Sequence, residues 1–323
     1  MKEELLYDLI PHCTNETIRV DARIDVKVDM IKGLGSAFAA ILIWSGFIVV
    51  SRAGGISQLS PYDIIAIRYF GCALCVLPVW LFYARTPLLT IKVLISALVG
   101  GLLYALFTFI GFEHVSAINA GILLPGLMPI EIALLSLLIN KERLTSTKVI
   151  GYLVISFGIA ILIGDQWTVV MHNLSAYLAI FGATACWSLY TTLIQRWNIS
   201  PWEATASLAL ISAGLYLPIY LIAFEKNLSF DLLNMISLQL VYQGFIATIV
   251  QMLLYVFAVR SIGPARVGSL MALVPIIAGL FAVIFLHEPI NTKLIIAMLC
   301  VCFGVLIVNT PLSRLIRHKG VPT

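Results

Sequence analysis

The sequence predicts an all-α membrane protein with ten transmembrane helices, arranged as two inverted repeats of five helices. Of the 323 residues, 61% are hydrophobic and only 11% are charged, whereas a soluble globular domain carries about 25% charged residues. The apolar residues come in runs of roughly 20, the length with which a helix spans a bilayer. These features exclude a water-soluble enzyme with a single core, and they equally exclude a disordered chain.

Ten apolar segments follow one another from Gly33 onward. Their connectors contain helix breakers such as Ser60-Pro61 and Ser200-Pro201, and proline suits the first turn of a helix, where its missing N–H is not needed. The segments predict helices at 33–52, 62–84, 91–112, 117–139, 147–164, 174–195, 203–224, 236–259, 264–286 and 292–310. We expect residues 1–30, which are polar, to form a disordered cytoplasmic tail, and residues 311–323 to form a basic cytoplasmic tail.

The basic residues predict the orientation of the chain in the membrane. With the N-terminus in the cytoplasm, sixteen of the twenty Lys and Arg residues lie on the cytoplasmic side, and only Arg52, Lys226 and Lys293 lie outside. Such a bias is typical of multi-pass membrane proteins. We therefore expect both termini in the cytoplasm and the protein in the cytoplasmic membrane. No basic segment followed by a short apolar stretch and a cleavage site occurs near residue 1, so we expect no signal peptide.

An internal repeat divides the chain into residues 31–164 and 172–310. A shift of 146 residues aligns 111–164 with 257–310 without a gap. The coinciding residues include Pro129/Pro275, Glu142/Glu288 and Gly158/Gly304, and earlier in the two halves Trp44-Ser45 matches Trp187-Ser188. Because five is an odd number, the second copy must enter the membrane from the opposite side. Inverted repeats of this kind place a binding site near the midplane and support alternating access in transporters.

Several short motifs occur at corresponding places in the two halves. The first half contains Trp44-Ser45, Arg68-Tyr69 after Ser60-Pro61, Pro129, and Lys141-Glu142-Arg143-Leu144-Thr145; the second contains Gly263-Pro264-Ala265, Pro275 and His287-Glu288-Pro289. With these residues the chain resembles the drug/metabolite transporter superfamily, EamA type, over residues 30–310. The resemblance implies a ten-helix carrier of small organic molecules and no particular cargo. The long polar tail before residue 30 departs from the compact pattern of that family.

Charged residues inside the predicted helices are the first candidates for function. Arg68 lies roughly 10 Å from the outer end of the second helix, and either anchors helix packing by pairing with a carboxylate or binds a carboxylate in a cavity. Glu131 lies roughly 5 Å past the midplane; it is either a neutral acid bonded to a neighbouring helix or a site for a proton or a substrate cation. Glu113 and His114 end the third helix and form either an interfacial pair or an outer proton relay.

Aromatic and amide residues form the second group of candidates. Trp44 and Trp187 lie at matching positions well inside their helices, away from the interfacial belts that tryptophan prefers. We predict a substrate cavity lined by Trp44, Trp187, Tyr104, Tyr190, Gln251 and Tyr255 together with Arg68 and Glu131, with ordinary packing as the alternative for each. Pro129 and Pro275 are predicted to kink the fourth and ninth helices and to free backbone carbonyls.

The sequence therefore predicts a secondary active transporter of a small organic metabolite, best matched by an amino acid or a similar amphipathic zwitterion. The alternatives are a membrane-embedded enzyme, a passive channel, or a carrier of nucleotide-type metabolites or drugs with the same fold. The chain contains no His-Glu-x-x-His stretch and no phosphate-binding loop that ends in Gly-Lys-Ser/Thr. We expect no enzymatic activity, no cofactor, no metal and no nucleic-acid partner. The expected partners are the lipid bilayer and the small-molecule substrate, and the protein is expected to be a monomer or a homodimer.

Overall fold

In the residues that the structure describes, ten helices are long and apolar enough to cross a membrane, as the sequence predicts. The computed structural model describes the backbone of residues 15–141 and 144–309, and within these residues every regular element is a helix. The spans are α1 (Met30–Gly55), α2 (Pro61–Phe82), α3 (Ile91–His114), α4 (Ala117–Ile139), α5 (Ser146–Asp165), α6 (Leu174–Trp197), α7 (Pro201–Ala223), α8 (Phe230–Val259), α9 (Arg266–Leu286) and α10 (Thr292–Asn309). A short helix, Trp167–His172, connects α5 to α6.

The helix that contains α1 begins earlier than the apolar segment. Its backbone is helical from Asn15, so residues 15–30, which the sequence assigns to a disordered tail, continue the first helix. An established helix extends one residue at a time at little cost, which is why a span can continue into an adjoining polar segment. Residues 1–14 and the predicted basic tail at 311–323 lie outside the described residues.

Side-chain caps explain where several helices begin. The Ser60 hydroxyl accepts a hydrogen bond from the Asp63 N–H, the Asp63 carboxylate accepts one from the Ser60 N–H, and Pro61 occupies the first turn of α2. The Ser200 hydroxyl likewise accepts a hydrogen bond from the Glu203 N–H, and Pro201 occupies the first turn of α7. The serine-proline pairs that the sequence marks as breaks are therefore helix starts.

Three helices of each repeat pack in corresponding pairs. α1 packs against α8 as α6 packs against α3, and α4 packs against α6 as α9 packs against α1. Two π-helical segments also correspond, because a shift of 146 residues places Leu98–Leu103 of α3 within Leu240–Val250 of α8. Lys141 and His287, which are 146 residues apart, both have a left-handed backbone after their helices.

The crossing of α5 and α10 shows the same correspondence at close range. A Cβ atom at Gly158 would lie 2.8 Å from the Ala297 carbonyl oxygen, and one at Gly304 would lie 2.8 Å from that of Gly151. The shift of 146 residues converts one contact into the other. Small residues at such crossings let helix backbones approach closely in a membrane. These correspondences fit two copies of a five-helix unit related by a two-fold axis; the inversion across the membrane remains a prediction.

Candidate functional site

Arg68 and Glu131 are the only charged residues that lie more than one helical turn from the ends of the ten spans. Each is 8% exposed. Burying a charge inside a membrane protein costs several kcal/mol unless it is paired, and such residues usually mark substrate or ion pathways. One side chain is basic and the other is acidic, but the two do not form an ion pair in the structure.

Arg68 lies two turns into α2 and bonds to an amide. Its Nη1 donates to Gln243 Oε1 on α8 at 2.9 Å, and its guanidinium carbon lies 5.5 Å from the centre of the Phe47 ring. Gln243 Nε2 in turn donates to the Ser51 hydroxyl on α1 at 3.0 Å. Within the described residues no carboxylate lies within 4.0 Å of Arg68. Among the described side chains, Arg68 therefore bonds to an amide and not to a carboxylate, and its two predicted roles stay predictions.

A close crossing of α2 and α8 brings Arg68 to Gln243. Gly71 on α2 and Gly244 on α8 touch through their backbones, since a Cβ on Gly244 would lie 2.8 Å from the Gly71 Cα. Arg68 lies one turn before Gly71, and Gln243 is next to Gly244. Glycine at both positions thus allows the amide to reach the guanidinium group.

Glu131 lies in α4 and accepts two hydrogen bonds from α6. Thr184 Oγ1 donates to Glu131 Oε1 at 2.9 Å, and Ser188 Oγ donates to Glu131 Oε2 at 3.0 Å. The described residues place no Lys, Arg or His within 4.0 Å of this carboxyl group. One predicted interpretation of Glu131 is a neutral acid bonded to a neighbouring helix, and α6 is the helix that supplies both hydrogen bonds. The other interpretation, a site for a proton or a substrate cation, stays a prediction.

Three of the predicted aromatic residues form one group, here called the aromatic cluster: Tyr104 on α3 with Trp187 and Tyr190 on α6. The ring centres of Tyr104 and Trp187 are 4.9 Å apart, and those of Trp187 and Tyr190 are 5.3 Å apart. The Tyr190 ring lies directly over Gly100 in the π-helical segment of α3, where no side chain stands in its way. The cluster is connected to both buried charges: Trp187 is the sequence neighbour of Ser188, which donates to Glu131, and the Tyr104 hydroxyl is close enough to Arg68 to feel its charge.

Other predicted site residues lie apart from this group. Trp44 packs against the same hydrophobic core as Trp187, and no ring contact joins it to the aromatic cluster within the described residues. Gln251 and Tyr255 lie two to three turns further along α8 than Gln243, and Tyr255 is 38% exposed. Gln243 is the α8 amide that reaches a buried charge.

The two predicted kink prolines have different surroundings. Pro129 lies inside a continuous helix that also contains Pro125. Pro275 lies in the first turn of a new helix, because α9 is interrupted at Ala272 and Leu273. Pro129 removes one backbone hydrogen bond from the turn that precedes it, whereas Pro275 lies in a first turn, where its missing N–H is not needed. Only α9 is interrupted beside its proline.

An ion pair joins four helices at one end of the bundle, here called the Arg52 end. Glu288 accepts hydrogen bonds from the Ala117 and Ile118 N–H groups at 2.8 and 2.9 Å, and lies 3.7 Å from Arg52 Nε. Arg52 Nη1 donates to the carbonyl oxygens of Phe112 and Glu113 at the end of α3. A carboxylate at a helix N-terminus and a cation at a C-terminus both match the helix dipole. Glu288 follows α9 of the second repeat, and its carboxylate caps the N-terminus of α4 in the first repeat.

The side chains of Glu113 and His114, predicted as an outer proton relay, are exposed at this same end. His114 lines a cavity of about 230 Å³ together with Arg52, Asn119, Tyr177 and Glu288. The Glu113 side chain makes no ion pair within the described residues, and only its backbone carbonyl contacts Arg52.

Replacing Glu288 with alanine is expected to destabilise the protein by about 2–3 kcal/mol, because two helix N–H groups and a partly buried arginine lose their acceptor. Thermal unfolding of the purified protein in detergent measures the effect. Glu113→Ala, which removes an exposed carboxylate from the neighbouring turn, should change stability by no more than about 0.5 kcal/mol. Equal losses in the two variants would contradict the role assigned to Glu288.

The fold and its buried polar groups define a multi-pass membrane protein with an internal polar site. The sequence profile of the EamA-like transporter family matches residues 31–164 and 174–310. The chain therefore belongs to the EamA-like transporter family, in agreement with the resemblance noted from its motifs. The two matched ranges also coincide closely with the two repeats predicted from the sequence.

Individual relatives support the same assignment. The chain is 27% identical over 213 residues to the uncharacterized transporter YyaM of Bacillus subtilis (strain 168), covering 62% of this chain and 67% of the relative. It is 22% identical over 298 residues to the uncharacterized transporter YoaV of the same organism, covering 88% and 99%. A crystal structure with 20% identity superposes with a TM-score of 0.60, covering 91% of this chain and 99% of the other. That structure supports the fold alone, and the relatives place the chain among membrane transporters.

Proposed function

We propose that the protein is a secondary active transporter that moves an amino acid or a similar amphipathic zwitterion by alternating access. The proposed substrate class rests on the surroundings of Arg68. Its buried guanidinium group bonds to an amide and lies over an aromatic ring, and no carboxylate of the described residues lies within 4.0 Å of it. A guanidinium group has five N–H donors in a planar fork that matches a carboxylate. A carboxylate on the substrate would neutralise this charge.

The aromatic cluster supports the rest of the substrate. Aromatic faces bind ammonium groups through cation–π attraction and bind apolar side chains through burial. Arg68 lies seven residues from the start of α2 and Glu131 fourteen residues from the start of α4, which places them roughly 10 Å apart along the membrane normal. An α-amino acid bound by its carboxylate to Arg68 would therefore direct its ammonium group to the aromatic cluster and not to Glu131.

Alternating access is supported by the two-fold correspondence between the repeats and by the contacts at the Arg52 end. There α1 is joined to the other helices by Arg52–Glu288, by Gln243–Ser51, and by Gln239 Nε2 donating to the Val50 carbonyl at 2.8 Å. We assign the Arg52 end to the outside of a cytoplasmic membrane from the distribution of basic residues. In this assignment the structure corresponds to a state whose outer side is held closed.

A carrier of nucleotide-type metabolites is the second candidate of the same fold. A nucleotide carries more than one negative charge, and Arg68 is the single Lys or Arg that lies more than one turn from the ends of the ten spans. The site therefore favours a substrate with one anionic group.

Uptake by the full chain in proteoliposomes tests this proposal. Radiolabelled amino acids should enter with saturation and should exchange with unlabelled amino acid in counterflow, whereas nucleotides in the same assay should not. Liposomes without protein serve as the background. Uptake of no amino acid, or flux that never saturates, would contradict a carrier for this substrate class.

Replacing Trp187 with alanine should raise the KM for the transported amino acid on the order of tenfold, because the central ring of the aromatic cluster is lost. Concentration-dependent uptake measures the change. Trp44→Ala should have a smaller effect, and Trp167→Ala, which removes an exposed indole from the short connecting helix, should have none. If Trp187→Ala and Trp167→Ala transport equally well, the cluster does not line the substrate site.

A further inference from the structure

We propose that Glu131, Thr184 and Ser188 form a proton-binding site that couples transport to the proton gradient. This inference rests on the proposed function, because it names the coupling ion of that transporter. Glu113 and His114, the other residues predicted to take part in coupling, are exposed at the Arg52 end, where they contact neither Glu131 nor its two hydroxyl partners in the hydrogen bonds described.

The hydrogen-bond geometry satisfies the deprotonated carboxylate. Thr184 and Ser188 have one hydroxyl hydrogen each, and each reaches a different oxygen of Glu131, at 2.9 and 3.0 Å. A carboxylate is a pure acceptor, so two donated hydrogen bonds hold the charged form without any cation.

The same atoms satisfy the protonated acid. Thr184 Oγ1 lies 2.8 Å from the Phe181 carbonyl oxygen, and Ser188 Oγ lies 3.4 Å from the Met128 carbonyl oxygen. When one proton from water binds to Glu131 Oε1, the new O–H donates to Thr184 Oγ1. The threonine hydroxyl hydrogen then turns from Glu131 to the Phe181 carbonyl, and Ser188 continues to donate to Oε2. One proton is gained, and every donor has an acceptor in both states.

A site that only stabilises helix packing would not need hydrogen-bond partners for the protonated acid as well. The other repeat offers a comparison within the same chain. The counterparts of Ser188 and Glu131 in the other half are Ser45 and Ile277. The Ser45 hydroxyl is fully buried and has no hydrogen-bond partner within the described residues. The same serine position therefore has an acidic partner in one half and none in the other, so helix packing by itself does not require the acid.

Glu131 is the only carboxyl or imidazole group at this depth in α4 and the helices that pack against it. The helices that pack against α4 are α1, α5, α6, α9 and α10, and all their charged residues lie within one turn of the span ends. Their other titratable side chains inside the spans are Tyr152, Tyr177, Cys186, Tyr190, Cys300 and Cys302. Of these, the Cys186 thiol is close enough to feel the Glu131 charge. Tyrosine and cysteine ordinarily titrate well above neutral pH.

A proton suits this site better than a metal ion. The hydroxyl and carboxylate oxygens are in hydrogen-bond contact with one another, so they leave no space for a metal ion between them. Among the residues that the structure describes, no three His, Cys, Asp or Glu side chains come together as metal ligands.

The first test needs no substrate, because protons are the probe. Infrared spectra of the full chain in lipid nanodiscs, recorded across a pH series, should show a carboxylic-acid band that titrates in wild type and is absent in Glu131→Gln. Glu113→Gln, which removes an exposed carboxyl group, should keep the band. Retention of the band in Glu131→Gln would overturn the proposal.

The two repeat-related serines provide the matched comparison. Ser188→Ala removes one donor from the carboxylate, so the Glu131 band should titrate about one pH unit higher, a tenfold change in proton affinity. Ser45→Ala removes a hydroxyl group of the same kind that has no partner, and the midpoint should stay where it is in wild type. Equal midpoints in the two variants would show that Ser188 does not control proton binding.

The second test uses an amino acid that the uptake panel identifies. Glu131→Gln should lose accumulation driven by a proton gradient while keeping counterflow exchange, and replacing Na⁺ by choline should change neither result in wild type. Accumulation that persists in Glu131→Gln, or that follows a Na⁺ gradient, would overturn the proton site and leave the carrier proposal standing. If the panel identifies no substrate, the carrier proposal fails, and the infrared titration still decides whether Glu131 binds a proton.

Discussion

Replacing Arg68 with glutamine is expected to abolish amino-acid uptake, with a loss of about 100-fold or more in uptake rate at low substrate concentration. Removing one partner of a buried ion pair costs about 3–5 kcal/mol, because the remaining charge is left uncompensated, and each 1.4 kcal/mol corresponds to about tenfold in affinity. In this protein the uncompensated charge would be the carboxylate of the substrate. Initial rates of uptake into proteoliposomes at several concentrations measure the loss.

Two further variants separate charge from shape. Arg68→Lys keeps the positive charge but loses the planar fork that bonds a carboxylate through two N–H groups, so it should retain only a small part of the activity. Arg85→Gln removes an exposed arginine that bonds to the Leu81 carbonyl at the other end of α2, and should transport normally. Unchanged KM in Arg68→Gln would show that the guanidinium group does not bind the substrate.

Stability provides an independent reading of the same variant. If Arg68 served only to hold α2 and α8 together, Arg68→Gln would unfold at a lower temperature than wild type. Replacing a buried charge by a neutral group is often neutral or stabilising. We therefore expect Arg68→Gln to unfold at the wild-type temperature or above while transport is lost. That result would show that the buried charge is kept for transport and not for stability.

The number and order of the spans could be predicted from the sequence because a bilayer imposes a strict requirement on every segment within it. A spanning helix must satisfy all its backbone groups internally and must be apolar over its length. The breaks at Ser60-Pro61 and Ser200-Pro201 were equally predictable, because the capping hydroxyl group and the proline act locally. The start of α8 was less predictable: the sequence suggests residue 236, whereas the span begins at Phe230, where polar residues lower the local hydropathy.

The site could be predicted only in part. Arg68 and Glu131 stand out because charges inside spans are rare. Their partners Gln243, Thr184 and Ser188 do not stand out, because amide and hydroxyl groups are common in membrane helices and show no distinctive spacing. Two matching tryptophans suggested that Trp44 is equivalent to Trp187, yet the repeats differ in what surrounds them, as Ile277 in the place of Glu131 shows.

The π-helical segment of α8 limits what a helical wheel can predict about Gln243. A helical wheel assumes 3.6 residues per turn, whereas Leu240–Val250 of α8 follows the wider π spacing. The wider spacing rotates the side chains that follow it around the helix axis. A wheel of 3.6 residues per turn therefore cannot tell which side of α8 Gln243 shares with residues after Val250. Long π segments are rare and have no reliable signature in a single sequence, so the contact of Gln243 with Arg68 could be found only from the structure. The assignment of Gln251 and Tyr255 to the substrate cavity stays a prediction.

Replacing Gly244 with alanine is expected to lower stability by about 1–3 kcal/mol, the usual cost of overpacking a close contact. The new Cβ would lie 2.8 Å from the Gly71 Cα, and a backbone atom cannot move aside as the end of a flexible side chain can. α2 and α8 would have to separate, which would also draw Gln243 away from Arg68. Thermal unfolding in detergent should show a decrease of about 3–10 °C, with a matching loss of uptake.

Gly214→Ala on α7 is the matched control for this substitution. Gly214 is also a glycine inside a span, but a Cβ atom there would meet nothing within 4 Å. Alanine favours the helix over glycine by roughly 0.5–1 kcal/mol, so this variant should be as stable as wild type or slightly more stable. If both alanines had the same effect, the cost at Gly244 would belong to glycine replacement in general. A loss confined to Gly244→Ala would instead show that backbone contact between α2 and α8 holds the buried arginine in position.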